Sequence, residues 1–261
     1  MISIDFSGKN VLLTGAGGGI GGGIARAYGK AGAHVYMTDL KLGFMDSIMA
    51  EFKAAGYQGT AYELDVSNEE MIKTLVDDIV AKDGKLDILC NCAGIVLDRV
   101  YMDATSDEFA RVLDINLLGT HKCMQAALKY MIEREEGKIV NIASAASRKG
   151  VPHQAFYAAA KTAVYSLTQS VALSVAAKGI NVNSICPGIV DTNMVTILYE
   201  FMGANSESEK EKVLNDIINR IPQKRLQTPD DIGAAAVFLS SDLASSITGQ
   251  ALNVDGCMNM N

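Results

Sequence analysis

The sequence has little positive charge and no long apolar run. It contains 23 Lys and Arg against 30 Asp and Glu, a net charge of −7, and its basic residues form no cluster. Binding to nucleic acid or to an anionic membrane surface usually requires such a cluster. No apolar run reaches the ~20 residues that a helix needs to cross a bilayer, and the N-terminus has no secretory signal pattern. These absences predict a cytoplasmic protein that binds neither nucleic acid nor membrane.

Cysteine and histidine are too few and too scattered to suggest a disulfide framework or a metal site. The five cysteines are an odd number, and the chain has three histidines. Free cysteines are commonly buried as small apolar side chains in cytoplasmic proteins. Cys90 and Cys92 belong to the end of a predicted strand, and no set of histidines accompanies them. We therefore expect free thiols and no metal.

The chain shows no linker, repeat or low-complexity tract, which predicts a single domain over residues 1–261. With 49% hydrophobic residues, a chain of this length can bury about three quarters of its unfolded surface. Helical and strand patterns alternate along it, so we expect an α/β fold with a parallel sheet covered on both faces. Strands are predicted at 61–64, 86–90, 138–142, 180–185 and 251–254, and helices near 71–81, 109–131 and 155–177.

A glycine-rich run near the N-terminus has the pattern of a dinucleotide-binding turn. The apolar residues 10–14 predict a buried strand, and residues 15–21, Gly-Ala-Gly-Gly-Gly-Ile-Gly, predict a turn that opens a helix. Glycines let the main chain approach a pyrophosphate, and the helix N-terminus offers free N–H groups and the positive end of its dipole. On its own such a run could be a flexible loop. A second strand at 34–38, which ends at Asp39, favours the nucleotide site.

Asp39 bears on the choice of cofactor. It lies eighteen residues after Gly21, where an acidic side chain can accept hydrogen bonds from both ribose hydroxyls and repel a 2′-phosphate. No arginine is adjacent to it, so we expect NAD(H) rather than NADP(H). Lys41 is the residue that would weaken this preference. The alternative interpretation of Asp39 is a helix N-cap.

A second candidate site lies in the middle of the chain. Tyr157 and Lys161 are four residues apart, and Ser144 lies thirteen residues before the tyrosine. Residues i and i+4 share one face of a helix, and an ammonium beside a phenol favours the phenolate. Such a pair can move a proton on and off an alcohol or a ketone, with the serine hydroxyl holding the substrate oxygen. The same spacing is also common on exposed helices, so its interpretation depends on the rest of the chain.

Together these features resemble the short-chain dehydrogenase/reductase family in its compact single-domain form, over nearly the whole chain. The matched positions are Thr14, Gly15, Gly19, Ile20 and Gly21 in the cofactor turn, Asp65 and Val66 at the adenine, Asn91, Ala93 and Gly94 in the N-N-A-G element, Asn116, Ser144, Tyr157 and Lys161 in the catalytic set, and Pro187, Gly188, Val190 and Thr192 near the nicotinamide. Cys92 replaces the second asparagine of N-N-A-G, which leaves open how this turn is braced.

The resemblance implies a Rossmann-type, doubly wound sheet of seven strands in the order 3-2-1-4-5-6-7, and a homotetramer. It also implies a role for each catalytic residue. Tyr157 is the general acid and base, and Lys161 lowers the tyrosine pKa and binds the nicotinamide ribose. Ser144 holds the substrate oxygen, and Asn116 holds a water that connects Lys161 to solvent.

The substrate is the least determined feature. Residues 193–220 are predicted to form a substrate lid, whose apolar run at 194–202 packs either on a partly hydrophobic substrate or on the protein's own core. His153 and Gln154 could hydrogen-bond a substrate hydroxyl. We expect a small-molecule secondary alcohol or ketone, namely a polyol, a diol or a hydroxysteroid such as a bile acid.

Other functions compatible with the resemblance are a 3-oxoacyl thioester reductase of fatty-acid synthesis and a non-catalytic NAD-binding sensor or scaffold. The first usually uses NADPH, which the acidic Asp39 disfavours. The second usually lacks part of the catalytic set, which is complete here. Arg148 and Lys149, soon after Ser144, are not in an obvious position to hold a carboxylate or a phosphate.

Overall fold

A parallel sheet of seven strands forms the centre of the molecule. The computed structural model describes residues 3–193, 195–196, 199 and 202–260. The strand order is β3-β2-β1-β4-β5-β6-β7, as the family resemblance implies, and every pairing is parallel. The strands are β1 Asn10–Thr14, β2 His34–Asp39, β3 Gly59–Glu63, β4 Ile88–Asn91, β5 Gly137–Ile142, β6 Ile180–Pro187 and β7 Ala251–Val254.

Helices cover both faces of this sheet. They are α1 Gly19–Lys30, α2 Asp46–Ala55, α3 Glu69–Asp83, α4 Ser106–Leu113, α5 Gly119–Arg134, α6 Ala155–Val175, α7 Glu207–Arg220 and α8 Pro229–Ser240. Alternate residues of β1 face opposite sides, because the side chains of a strand alternate. Val11 and Leu13 pack with α1, α2 and α8, whereas Leu12 packs with α3, α5 and α6. Because helices cover both faces of the sheet, residues on both sides of each strand are apolar, and the strand sequences form continuous apolar runs.

The long helix predicted at 109–131 is two helices. α4 ends at Leu113 and α5 begins at Gly119, and a π-helical turn, Asp114–Leu118, joins them. This π turn adds one residue to a helical turn and shifts the apolar period, but it contains no proline and leaves the chain helical, so the sequence does not mark the boundary. The chain continues as a helix through the π turn, and Asn116 is buried there.

The predicted lid begins at the carboxyl end of the sheet. Within its apolar run, residues 194, 197, 198, 200 and 201 lie outside the described residues. Its charged part is α7, which Ser206 and Glu209 start with a reciprocal capping box. In the described part of the chain no helix combines the length and the apolar character needed to cross a bilayer.

The cysteines form no disulfide in the structure. All five cysteines are free thiols, and Cys90, Cys123 and Cys186 are buried. Over residues 3–193, 195–196, 199 and 202–260, no group of three His, Cys, Asp or Glu side chains could hold a metal ion.

Candidate active site

The glycine-rich turn leaves a space that side chains would fill. Gly15 has φ +69°, and a Cβ there would lie 2.7 Å from the Cα of Ala93. A Cβ on Gly21 would lie 2.0 Å from the carbonyl oxygen of Gly15. No side chain caps the N-terminus of α1, and its first turn holds no acidic residue. The turn and the helix end therefore form a cradle that fits a pyrophosphate.

A cavity of about 580 Å³ extends from this cradle along the carboxyl ends of the strands. Asp39, Leu40 and Phe44 line one end, and Tyr157 and Lys161 line the other. The other predicted residues that line it are Gly15, Gly19, Ile20, Gly21, Asp65, Val66, Ala93, Gly94 and Thr192. This edge is where open parallel sheets bind ligands. The sequence therefore brings most of the predicted cofactor residues to one cavity.

Four predicted cofactor residues do not line the cavity. Asn91 is buried beneath it, and its Nδ2 donates to Oδ1 of Asn141 at 2.9 Å. Pro187 ends β6, and the backbone N–H of Gly188 donates to the carbonyl of Val254 at 3.0 Å. Val190 is buried and pairs with Gln227 through an isolated parallel bridge. Pro187, Gly188 and Val190 belong to the segment that leads to Thr192.

Asp39 is not a helix N-cap. Its Oδ2 accepts a hydrogen bond from the backbone N–H of Gly17 at 2.9 Å, and its Oδ1 accepts from that of Leu40 at 2.8 Å. The following helical turns, which begin at Leu42 and Asp46, have Lys41 and Met45 at their N-cap positions, without a side-chain cap. Asp39 thus joins the glycine turn to the end of β2 and faces the cavity.

The N-N-A-G turn is braced by Thr14. The Thr14 hydroxyl oxygen accepts hydrogen bonds from the backbone N–H groups of Cys92 and Ala93, both at 3.1 Å. This contact joins the ends of β1 and β4 without a side chain from position 92. Burial raises the pKa of the Cys92 thiol to about 12. Cys92 is therefore neutral, and the turn does not depend on the asparagine that it replaces.

Asn116 holds the chain that follows this turn. Its Nδ2 donates to the carbonyls of Ile95 and Val112 at 2.9 and 3.0 Å, and its Oδ1 accepts from the N–H of Ile95 at 3.0 Å. A Cβ on Gly94 would lie 2.4 Å from Asn116 Oδ1 and 3.3 Å from Lys161 Nζ. Asn116 and Lys161 therefore approach Gly94 closely, as the π turn and α6 position them.

Ser144, Tyr157 and Lys161 meet at the end of the cavity. The Ser144 hydroxyl lies near the Tyr157 phenol and favours its charged form, which lowers the phenol pKa. The Lys161 Nζ donates to the carbonyl of Ile142 at 2.7 Å and lies 5.8 Å from the centre of the Tyr157 ring. Burial lowers the pKa of Lys161 to about 8. The arrangement places a hydroxyl, a phenol and an amine around one space.

The pKa of Tyr157 differs from the expectation. Burial raises it to about 12, against the effect of the Ser144 hydroxyl, which lowers it. The expected lowering by Lys161 is absent in this structure because its Nζ is directed to the Ile142 carbonyl. The burial cost of a charged phenolate outweighs the attraction of an ammonium that is not hydrogen-bonded to it. The phenol is thus protonated at neutral pH in the structure.

Comparison with known proteins identifies the family. The family model described as "Enoyl-(Acyl carrier protein) reductase" matches residues 15–259. The chain belongs to the short-chain dehydrogenase/reductase family. It is 36% identical over 257 residues to the 3-oxoacyl-(acyl-carrier-protein) reductase of Rickettsia conorii, covering 98% of this chain and 99% of the relative. The Thermotoga maritima enzyme of the same name is 32% identical over 249 residues, which is 95% of this chain and 97% of the relative.

Two similar solved structures contain different nicotinamide cofactors. NAD+-bound xylitol dehydrogenase superposes with a TM-score of 0.90 and 33% identity, over 96% of this chain and 99% of that chain. A variant of actinorhodin polyketide ketoreductase with NADPH gives a TM-score of 0.91 and 32% identity, over 98% and 99%. The protein is therefore an oxidoreductase of the short-chain dehydrogenase/reductase type.

Some contacts of the short-chain dehydrogenase/reductase site had no signal in the sequence. Leu40, Phe44 and Ile95 line the cavity, although no motif marks them. Each comes from a loop next to a motif residue, and only that proximity could have indicated them. No motif marks Glu63 either. It does not line the cavity, and its Oε1 accepts a hydrogen bond from the Leu42 N–H at 3.2 Å.

Two residues considered for substrate binding contact the protein instead. The Nε2 of Gln154 donates to Oδ1 of Asp98 at 2.9 Å. Arg148 donates to the carbonyl of Ala251 at 2.9 Å and stacks over the Tyr165 ring at 4.5 Å. Arg148 thus fastens the turn after Ser144 to β7 and does not face the cavity. His153 is exposed and has φ +66°.

Proposed function

We propose that this protein transfers hydride between NAD(H) and a secondary alcohol or ketone, with Tyr157 as general acid and base. One observation carries the proposal. The phenol of Tyr157 lies at one end of a cavity whose other end is Asp39 and whose middle is the glycine cradle. A nicotinamide dinucleotide is a long molecule with a pyrophosphate in its middle and an adenosine ribose towards one end, which fits this order of groups.

The residues that would hold the dinucleotide follow from this order. The N–H groups around Gly19, Ile20 and Gly21 would bind the pyrophosphate. Asp39 would accept from the adenosine ribose hydroxyls, and Asp65 and Val66 would border the adenine. When bound, the nicotinamide supplies or accepts the hydride. Orientation of the two reactants by the cavity contributes much of the rate.

The protein's own residues move the proton. In reduction, the Tyr157 phenol donates its proton to the carbonyl oxygen of the substrate, and in oxidation the phenolate takes it back. The Ser144 hydroxyl holds that oxygen and stabilises its developing charge. Lys161 replenishes the phenol proton and binds the nicotinamide ribose, with Asn116 holding a water between Lys161 and solvent. General acid–base help of this kind is typically worth about 10²–10⁴-fold.

A pH dependence follows from the buried lysine. Burial lowers the pKa of Lys161 to about 8, whereas it raises that of Tyr157 to about 12. As pH rises through about 8, the lysine therefore loses its proton while the phenol keeps its own. We expect kcat/KM for ketone reduction to be constant below this pH and to fall above it. Rates measured from pH 6 to about 10 test this, and a profile that stays flat past pH 9 would contradict it.

The relatives support a 3-oxoacyl thioester as the first substrate class to consider. Two 3-oxoacyl-(acyl-carrier-protein) reductases match nearly the whole chain at 32% and 36% identity. A polyol is the second class, supported by the likeness to NAD+-bound xylitol dehydrogenase at 33% identity. The polyol and hydroxysteroid interpretation, preferred from the sequence, stays a prediction. The carboxylate of Asp39 supports NAD(H) with either class.

We also propose a homotetramer in the cytoplasm. Apolar side chains are exposed on the π turn, α5, α6 and β7, namely Leu118, Ile132, Leu173 and Leu252. Leu173 is 84% exposed, which is unusual for leucine in water. Faces related by two-fold axes would bury these side chains in a closed assembly.

The function is tested by following the absorbance of the reduced cofactor with two substrate sets. In the reductive set, NADH or NADPH is mixed with 3-oxoacyl N-acetylcysteamine thioesters and with keto sugars. In the oxidative set, NAD+ or NADP+ is mixed with polyols, diols and bile acids. We expect turnover with one class and a preference for NADH or NAD+. Absence of both turnover and dinucleotide binding would overturn the proposal, and tight NAD+ binding without turnover would favour the sensor alternative.

A further inference from the structure

A second carboxylate lies beside Asp39 at the carboxyl edge of the sheet. Glu63 ends β3 and is the register partner of Asp39 in the parallel pairing of β2 with β3. The N–H of Leu64 donates to the carbonyl of Asp39 at 2.8 Å, which holds the two strand ends together. Paired residues of neighbouring strands point to the same face of a sheet. Asp39 and Glu63 therefore extend from the sheet on the same side.

The two carboxylates accept hydrogen bonds from backbone N–H groups near the end of the cavity where the adenosine ribose would bind. Asp39 accepts from Gly17 and Leu40 at 2.9 and 2.8 Å, and Glu63 accepts from Leu42 at 3.2 Å. Backbone N–H groups that converge in a turn commonly bind anions such as phosphate. Here each of the three N–H groups already donates to a carboxylate of the chain. A 2′-phosphate would have to compete with these carboxylates for the donors.

The charge on this loop also opposes a phosphate. Asp39, Glu63 and Asp46 carry negative charge around residues 40–46, and Lys41 is the positive side chain of the same stretch. Lys41, Glu63 and Asp46 are all exposed, so water and salt screen the effect of each of these charges on a bound anion. The carboxylates of Asp39 and Glu63 are fixed by hydrogen bonds to the backbone and keep their positions. The excess of negative charge offsets the effect that Lys41 would have alone.

We propose that Glu63 is a second specificity-determining residue, which excludes the 2′-phosphate of NADP(H) by holding the Leu42 N–H and by its charge. The inference rests on the proposed use of NAD(H) and deepens it. Glu63 itself lies outside the cavity lining, so it acts on the rim of the site and does not contact the NAD(H) ribose. Asp39 faces the proposed ribose position. Glu63 accepts from the Leu42 N–H, which would otherwise be available to a phosphate.

Two variants separate the charge of Glu63 from its hydrogen bond. Glu63→Gln removes the charge, but its side-chain oxygen can still accept from Leu42. Glu63→Ala removes both and frees the N–H. Asp39→Asn serves as the reference for a known position of the site. Glu133→Gln is the matched control, because Glu133 is exposed on the last turn of α5, at the opposite edge of the sheet.

The readout is the ratio of the Kd for 2′,5′-ADP to the Kd for 5′-AMP, two nucleotides that differ only in the 2′-phosphate, measured by calorimetry with each nucleotide alone. We expect Glu63→Gln to lower this ratio about threefold, and the effect to shrink at high salt. Glu63→Ala should lower it about tenfold, because the freed N–H can donate to the phosphate. Glu133→Gln should leave the ratio unchanged.

The outcomes separate the inference from the function on which it rests. If Asp39→Asn changes the ratio while both Glu63 variants leave it as in the wild type, Glu63 has no part in selection and the inference is wrong. If the wild type binds neither nucleotide, the proposed NAD(H) function fails and the inference fails with it. The two Kd values can be measured without knowing the substrate.

Discussion

Tyr157→Phe is expected to lower turnover by about 10³-fold while cofactor binding stays nearly unchanged. The substitution removes only the phenol oxygen, which lies near the Ser144 hydroxyl. The ring remains and continues to line the cavity beside Lys161. The proton for the substrate oxygen then has no donor at the right position. Steady-state rates with the active substrate class, together with calorimetric titration of NADH, measure the two effects separately.

Tyr165→Phe is the matched control for this variant. Tyr165 lies two turns further along α6, and its hydroxyl accepts a hydrogen bond from Nε2 of Gln169 at 3.2 Å, at the surface. Removal of this oxygen should leave turnover at the wild-type level. The assignment of Tyr157 would be wrong if its Phe variant kept wild-type turnover, or if the two variants lost activity equally.

Gly21→Ala is expected to abolish tight dinucleotide binding. A Cβ at this position would lie 2.0 Å from the Gly15 carbonyl oxygen and 2.8 Å from the Ala16 Cα. Both atoms belong to the backbone, so the turn must move by a substantial fraction of an ångström. A displacement of about 1 Å at a positioning element can cost about 100-fold in kcat/KM. Calorimetric titration of NAD+ and the thermal midpoint of unfolding would record the loss of binding and any loss of stability.

The neighbouring glycine provides the control. In Gly22→Ala the new Cβ would be no closer than 3.8 Å to the Arg26 guanidinium and 3.9 Å to the Ala16 carbonyl, which are ordinary contacts. Alanine stabilises a helix interior by about 0.5–1 kcal/mol relative to glycine. Gly22→Ala should therefore bind NAD+ normally and unfold at a higher temperature. Equal loss of binding in both variants would show that the helix, and not the cradle, determines affinity.

Local patterns were sufficient to predict the fold class and most of the motif residues that line the cavity. The apolar run at 10–14, the glycines after it and Asp39 at the end of the next strand each encode a local requirement, and the parallel sheet brings them to one edge. The boundaries of α3 are also local, because Asn68 caps its start and Gly84, with φ +78°, ends it. Such features need only a few neighbouring residues, so one sequence is enough to recognise them.

Features that depend on tertiary burial could not be predicted in the same way. The π turn at Asn116 keeps the helical period, and the two carbonyls that Asn116 binds come from different segments. The pKa of Tyr157 is set by burial in the folded chain, which spacing along a helix does not report. Arg148 follows Ser144 in sequence, but its hydrogen bond to β7 holds it away from the cavity. The substrate class belongs to the same group, because distant loops shape its site.

Direct hydride transfer from NADH to a carbonyl carbon, with Tyr157 supplying the proton, can be followed by isotope labelling. The measurement is the mass of the product formed from a 3-oxoacyl thioester and NADH deuterated at C4 of the nicotinamide. We expect the hydroxyl product to carry the deuterium when the wild type is used, and Tyr157→Phe to form almost no product. Hydroxyl product without deuterium from NADH of either C4 configuration would contradict direct hydride transfer, and labelled product at the wild-type rate from Tyr157→Phe would contradict the role of the phenol.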